Sequence, residues 1–252
     1  MAYQKNEKEG VKKMKKMTVV LAVVMLMMAT GSAFALPLDP NLTRPVIINA
    51  APETENSLQT ELNNILGLGA VNAATDQLKV GMFQIGTPGS NLISPQLKFE
   101  WTANASTQMI GIFGWNGTSA VTAQVFSGAQ TKGAFANVVW NTSDSGEITS
   151  GASTIAFSGI NRDFFGFYFQ AGPGAPIYYS VDSLNPLTSQ QARVLGFQAN
   201  LLGAVFSYED GTDFDYQDAG FFVESIRTVP EPLTLILLGS GLLGLAAIRR
   251  KK

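Results

Sequence analysis

The chain has 252 residues, 46% of them hydrophobic and 14% charged, with a formal net charge of −2. That length supports one good-sized domain once targeting segments are set aside. Cysteine and histidine are both absent, which excludes a disulfide framework, a Cys/His metal site and catalysis by a thiol or an imidazole. The charge is unevenly spread: residues 36–226 carry six Lys or Arg against sixteen Asp or Glu, a net −10. A body of that sign repels nucleic acid and anionic lipid and attracts cations or basic partners, so no nucleic acid is expected as a partner.

At the amino end, residues 5–16 are basic, residues 17–28 form an apolar run, and Ala33-Phe34-Ala35 offers a small-residue cleavage site. These are the three parts of a secretory signal peptide, which predicts cleavage after Ala35 and export of the rest. Met14, directly before Lys15-Lys16, is an alternative start. Residues 36–56 hold Pro37, Pro40, Pro45 and Pro52 among polar residues and read as an extended leader. Leu58, Leu62, Ile65 and Leu66 then recur at helical spacing, with Asn56 and Gln59 as a capping box and Gly67 and Gly69 behind them. One short amphipathic helix is expected, its stripe packed on the main body.

From residue 79 to 226 the period changes to two. Leu97, Phe99 and Trp101 alternate with Lys98 and Glu100, as a strand with one buried face requires. Similar runs lie at 79–85, 109–115, 120–126, 134–140, 153–158, 164–170, 177–180, 194–198, 202–208 and 219–226. Strands at this density, with no helical runs between them, predict an all-β domain over 57–226: an antiparallel β-sandwich of jelly-roll type, with a closed barrel as the alternative. Residues 164–169, Phe-Phe-Gly-Phe-Tyr-Phe, are apolar on both faces. They form either a central strand covered on both sides or a strand whose rings line a groove, as in carbohydrate-binding modules.

No nucleophile elbow or P-loop is present, and H-E-x-x-H is impossible without histidine. Gly239-Ser240-Gly241-Leu242-Leu243-Gly244 formally fits G-x-G-x-x-G, but it lies inside an apolar segment with no strand before it. Carboxylates such as Glu100, Asp144, Glu147 and Asp163 are scattered, and no enzyme is predicted. The one dense constellation is the stretch 208–218, with Glu209, Asp210, Asp213, Asp215 and Asp218 between two predicted strands. Five carboxylates so close repel one another unless water or a cation screens them, and an oxygen-rich turn suits Ca²⁺, which takes six to eight oxygen ligands. Glu209, Asp210, Asp213, Asp215 and Asp218 are therefore the candidate calcium ligands. A solvated acidic hairpin loop is the other reading.

The chain ends with Val229, Pro230, Glu231 and Pro232, an uncharged apolar stretch over 233–248, and Arg249-Arg250-Lys251-Lys252. As a helix that stretch spans roughly 24 Å at about 1.5 Å per residue, enough for a marginal membrane crossing, and the basic cluster fits a cytoplasmic stop. This order of parts closely resembles the PEP-CTERM sorting signal of Gram-negative bacteria that make extracellular polysaccharide. The resemblance implies recognition and processing by an exosortase, with Val229, Pro230, Glu231, Pro232, Arg249 and Arg250 as the sorting residues of the segment 229–252. A second resemblance covers the body. Glu209-Asp210, Asp213-Phe214-Asp215-Tyr216 and Asp218, the aromatic run at 164–169 followed by Ile177-Tyr178-Tyr179-Ser180, and Thr75-Asp76-Gln77 are similar to motifs of the domain of unknown function 4114. Gln217 stands where that motif usually has Asn.

The combined expectation is an exported, non-enzymatic cell-envelope or extracellular-matrix protein. Its precursor is anchored in the membrane by 233–248, the mature protein is at the cell surface or outside, and its role is structural or adhesive beside exopolysaccharide. A carbohydrate-binding module with an aromatic groove is the first alternative and a carboxylate-based glycoside hydrolase the second.

Overall fold

The computed structural model describes residues 45–229 apart from 79–80, 102–103, 186–192, 201 and 212. The expected signal peptide (1–35) and apolar C-terminal helix (233–248) lie outside the described residues. Among the described residues no helix is long and apolar enough to cross a membrane. The described residues belong to one compact unit, Leu36–Val229.

Alternating patterns in the body become short antiparallel strands. A seven-stranded sheet is built from β2 (Leu92–Glu100), β5 (Ala136–Trp140), β6 (Ser145–Ser150), β7 (Ser153–Ser158), β10 (Val194–Asn200), β11 (Gly203–Tyr208) and β12 (Ala219–Glu224), in the order β10-β11-β12-β2-β5-β6-β7. Facing it, β3 (Met109–Trp115), β4 (Ala120–Ser127), β8 (Gly166–Gln170) and β9 (Ile177–Tyr179) form a four-stranded sheet in the order β4-β3-β8-β9. A third, two-stranded sheet joins β1 (Phe83–Ile85) to β13 (Ile226–Thr228). The described residues form the expected antiparallel β-sandwich with one short α-helix. Strand β6 was not anticipated, because its Ser, Gly, Glu and Thr carry a single large apolar residue, Ile148.

The core between the sheets is aromatic. From β8, Phe167 lies 4.5 Å from Phe206 and 5.2 Å from Phe221, ring centre to ring centre. Phe169 stacks on Tyr208 at 5.1 Å, and Phe165 meets Trp140 at 5.1 Å. The Trp140 indole N–H donates to the Ile160 carbonyl at 2.8 Å, so even its one polar atom is satisfied inside. Each such ring pair contributes about 0.5–1.5 kcal/mol beyond the area it buries. On the opposite side of β8, Tyr168 packs with Phe113, Met82 and Val181 under the outer face of the smaller sheet. The aromatic run is thus a central strand covered on both sides, and its rings line no groove.

A second apolar layer covers the outer face of the β10-β11-β12-β2 half of the large sheet. The helix α1 (Leu58–Leu66) supplies Leu58 and Leu62, which pack against Phe99, Leu195, Phe197, Val205 and Tyr216. Its N-cap is Ser57, whose Oγ accepts from the Thr60 N–H at 3.3 Å, one residue beyond the expected Asn56. Asn56 turns instead to the Glu61 carboxylate at 2.8 Å. Gly67 ends the helix at φ +98°, where a side chain would be strained. The proline-bearing segment before the helix is docked as well. Val46 is buried, and its N–H and carbonyl pair with the Gln77 side-chain amide at 2.8 and 3.0 Å.

One feature of β2 departs from simple alternation. Leu97 faces the inter-sheet core and Phe99 the helix layer, although they are two residues apart. The pairing with β12 shows why: Phe221 is opposite Leu97 and Gly220 opposite Phe99, so Lys98 is an extra residue, a β-bulge that turns the strand over. The Phe99 ring then lies across Gly220, where an added Cβ would come within 2.1 Å of Phe99 Cζ. Gly220→Ala is expected to destabilise the protein by about 1–3 kcal/mol. In urea unfolding of the full chain this penalty should shrink in a Phe99→Ala background, and an unchanged penalty would show that the ring is not the obstacle.

Candidate functional site

The acidic stretch connects β11 to β12 beyond their last pair, Tyr208 opposite Ala219. It does not stand in solvent as a hairpin loop. Tyr216 and Phe214 fold down into the layer that holds α1, and Glu209, Asp215 and Gln217 are buried at 0%, 3% and 1% exposure. To reach that position both aromatic residues adopt left-handed backbone, φ +58° at Phe214 and +60° at Tyr216. Non-glycine residues take that conformation at a cost of order 1–3 kcal/mol and keep it only when their surroundings enforce it. The enforcement is visible: Ser207 Oγ donates to the Tyr216 carbonyl, and Arg193 lies over the Phe214 ring at 4.9 Å.

The carboxylates divide into two groups. Single oxygens of Glu209, Asp213 and Asp215 all lie within 4.8 Å of one another. Glu209 accepts from the Gly211 N–H at 2.7 Å and the Tyr216 N–H at 3.3 Å, which fixes its orientation from inside the turn. Asp215 accepts from the Gln217 amide at 3.0 Å. Asp210 and Asp218 are not part of that cluster. Asp218 Oδ2 accepts from the Asp210 N–H at 2.6 Å, and Asp210 Oδ2 accepts from Asn104 Nδ2 at 2.9 Å, so both brace the base of the turn. Of the five predicted ligands, the structure therefore brings three together.

Arg193, Gln217, Glu55 and Asn49 complete the site. Arg193 reaches the turn because the Glu209 N–H donates to its carbonyl at 3.0 Å where β10 begins. Its guanidinium donates to the Gly211 carbonyl and is sandwiched between Tyr178, at 5.1 Å, and Phe214. The Gln217 amide also donates to Glu55, and Asn49 pairs with the backbone of Asp213 and Phe214. Arg193, Glu55 and Asn49 carry no local sequence signal, since strand pairing and the docked segment bring them in from far away in the chain.

No described Lys or Arg forms an ion pair with Glu209, Asp213, Asp215 or Asp218; the described ion pair, Arg162 with Asp163 at 3.8 Å, is elsewhere. The charges therefore act on one another. Burial, reinforced by Asp213, pushes the Glu209 carboxyl up to about 7 against the opposing pull of its two backbone donors. Burial, with the charges of Glu209, Asp210 and Asp215, pushes Asp218 up to about 8. Burial also raises Asp215. In the unfolded chain these groups ionise near their ordinary values of 3.8 for Asp and 4.5 for Glu. Between those values and about pH 8 the folded state holds more protons than the unfolded state, so stability falls as pH rises through that window. In chelator, the urea midpoint of the full chain should be lower at pH 8 than at pH 5, and Asp218→Asn should flatten the slope. A midpoint that rises with pH would contradict the buried, unpaired state of these carboxyls.

Comparison with known proteins gives little for the body. No curated protein matches the chain. Among solved structures the chain is similar to the lectin CV2L of Chromobacterium violaceum, in complex with alpha-methyl-fucoside. The identity is 18% and the TM-score 0.28, over 61% of this chain and 100% of that one. No family model supports the resemblance of residues 57–226 to the domain of unknown function 4114. At the carboxyl end, residues 228–251 match the PEP-CTERM protein-sorting motif.

Proposed function

We propose that this chain is an exported structural or adhesive protein of the cell envelope or extracellular matrix, delivered by an exosortase and associated with exopolysaccharide. The observation that carries this reading is the sorting motif at 228–251. The exosortase is the processing partner, and the apolar stretch 233–248 holds the precursor in the membrane until the tail is removed. After processing the body is at the cell surface or outside.

The chemistry of the body supports a structural part over a catalytic one. Asp144, Glu147 and Asp163, three of the scattered carboxylates, are exposed, while Glu100 is half-buried on another strand and bonded to Gln108. Most of the aromatic residues that a groove-type carbohydrate-binding module would display are spent on packing, with Phe135 and Trp101 the exposed aromatics among the described residues. Among the described residues Trp101 is the one exposed Trp or Tyr, and its indole N–H is tied to Glu61 at 3.2 Å. The acidic, strand-rich body favours a role as a rigid, hydrated component of the matrix over a sugar-specific receptor.

Three outcomes follow. Mature protein recovered from the envelope or medium should begin at Leu36 on N-terminal sequencing, and recovery of intact Met1 or Met14 would refute export through a cleaved signal. Replacing Pro230, Glu231 and Pro232 with Ala should leave membrane insertion intact while a pulse-chase shows the tail retained; unchanged tail loss would mean that the tripeptide is not read. A strain lacking the protein should make polysaccharide in normal amount but form a less cohesive matrix, and normal cohesion would remove the structural role.

A further inference from the structure

We propose that β7 (Ser153–Ser158) is a self-association edge, through which two copies of the chain pair antiparallel about a two-fold axis and join their seven-stranded sheets into one. The backbone of β7 is open on that side. Ser145, where β6 begins, gives its carbonyl to the Asn141 N–H on the β5 side at 2.9 Å. By antiparallel alternation Ser145, Glu147 and Thr149 bond toward β5, and their partners on β7, Ser158, Ala156 and Thr154, turn their own N–H and C=O groups away from the sheet. All three residues are exposed, and among the described residues nothing bonds those outward groups.

The other three edges of the two large sheets are closed. Beside β10, Gln77 bridges to Phe197 and the Leu78 N–H donates to the Gly196 carbonyl at 2.8 Å. On β9 the Asn185 side-chain amide bonds both backbone groups of Tyr179, at 2.6 and 2.9 Å. Strand β4 is bent by a bulge at Val125, and the Gln124 amide donates to the Phe126 carbonyl at 3.2 Å. Proteins blunt their edges with bulges, charges, proline or cover because an open edge is a template for another strand. β7 has none of these devices. It pairs with β6 over six consecutive residues without a register shift, and residues 148–161 contain no charge and no proline.

Two arguments make the occupant a second copy. The first is electrostatic. Residues 36–226 carry a net −10, so two copies repel across most of their surface, and this uncharged stretch is where they can approach. Glu147, opposite Ala156 on β6, would face its counterpart across three strand spacings, about 14 Å, beyond the Debye length of about 8 Å at physiological salt.

The second argument is register. Across an antiparallel pair, outward backbone groups must meet outward groups, and opposed side chains must share a face. Centring the axis on Ala156 sets it against itself, Thr154 against Ser158 and Ile155 against Phe157. The outward groups of all three residues are then bonded. Ile155 and Phe157 lie on the core-facing side of β7, opposite Ile148 and Gly146, yet Ile155 is 44% exposed where Phe157 is 8% exposed. Pairing covers that isoleucine with the phenylalanine of the other copy. With one open edge per chain, the assembly closes at two copies.

The test uses the full chain in detergent. Residues 229–252 are kept in every variant, so any association through that segment is common to all. The wild-type chain should sediment as a dimer at high concentration and dissociate on dilution. Ala156→Pro removes an outward N–H and no bond to β6, and Ala156→Lys sets two like charges directly opposite each other. Each should weaken the dimer at least about tenfold, the loss of about two hydrogen bonds, while circular dichroism shows the fold retained. Because the sequence has no cysteine, Ala156→Cys is a clean probe of position. Opposed residues that exchange backbone bonds lie about 5.5 Å apart at Cα, within disulfide reach. Mild oxidation should therefore give covalent dimers of Ala156→Cys but not of Leu68→Cys, which is 90% exposed just past α1. A wild-type monomer at every concentration would overturn the pairing and leave the edge to a strand of a different protein. A dimer unaffected by Ala156→Pro and Ala156→Lys, equal cross-linking of the two cysteine variants, or growth past two copies would also overturn it. These readouts are independent of where the protein is delivered.

Discussion

The structure depends on one strand. β8 contributes Phe165, Phe167 and Phe169 to the space between the sheets and Tyr168 to the layer outside, so both neighbouring cores rest on it. The facing rings of Phe206, Phe221, Tyr208 and Trp140 interdigitate with it and leave little room for rearrangement. A protein interior packed in this way transmits small changes in shape because its voids are few. Burial on both faces commits these aromatics to holding the layers together.

Much of this fold is legible in the order of residues. Period-two runs mark most strands because a strand with one buried face must alternate, and the stripe Leu58, Leu62, Ile65, Leu66 marks the helix for the corresponding reason. What escapes is whatever depends on pairing. Leu97 and Phe99 read as one buried face, and only their partners on β12 reveal the bulge at Lys98 that separates them. β6 is a strand because β5 and β7 flank it, not because its own residues insist on it. The helix cap is offset by one residue because Ser57 and Asn56 are both good caps, and Glu61 claims Asn56.

The site was legible in composition but not in membership. Clustered Asp and Glu announce the turn, yet sequence spacing treats five carboxylates as equivalent. The backbone sorts them, because Phe214 and Tyr216 in left-handed conformation place Asp213 and Asp215 with Glu209 and leave Asp210 and Asp218 at the base. The Gln217 side chain is long enough to reach Glu55 of the docked segment. The burial of the turn follows from its two aromatics, which no reading of a charged loop as solvated would anticipate.

The small sheet of β1 and β13 sets how the body bears load. Any pull on the carboxyl side enters at Val229, whose N–H is bonded to the Met82 carbonyl at 3.1 Å. From there tension divides. Backbone continuity through Ser225 carries one part into β12, in the interior of the seven-stranded sheet. The ladder from β13 to β1 carries the other part, and Phe83 passes it to Phe165 through two reciprocal hydrogen bonds of 2.6 and 2.9 Å, at the start of β8, an inner strand of the second sheet. Both layers therefore share a force applied at one end, and neither is peeled away from the other alone.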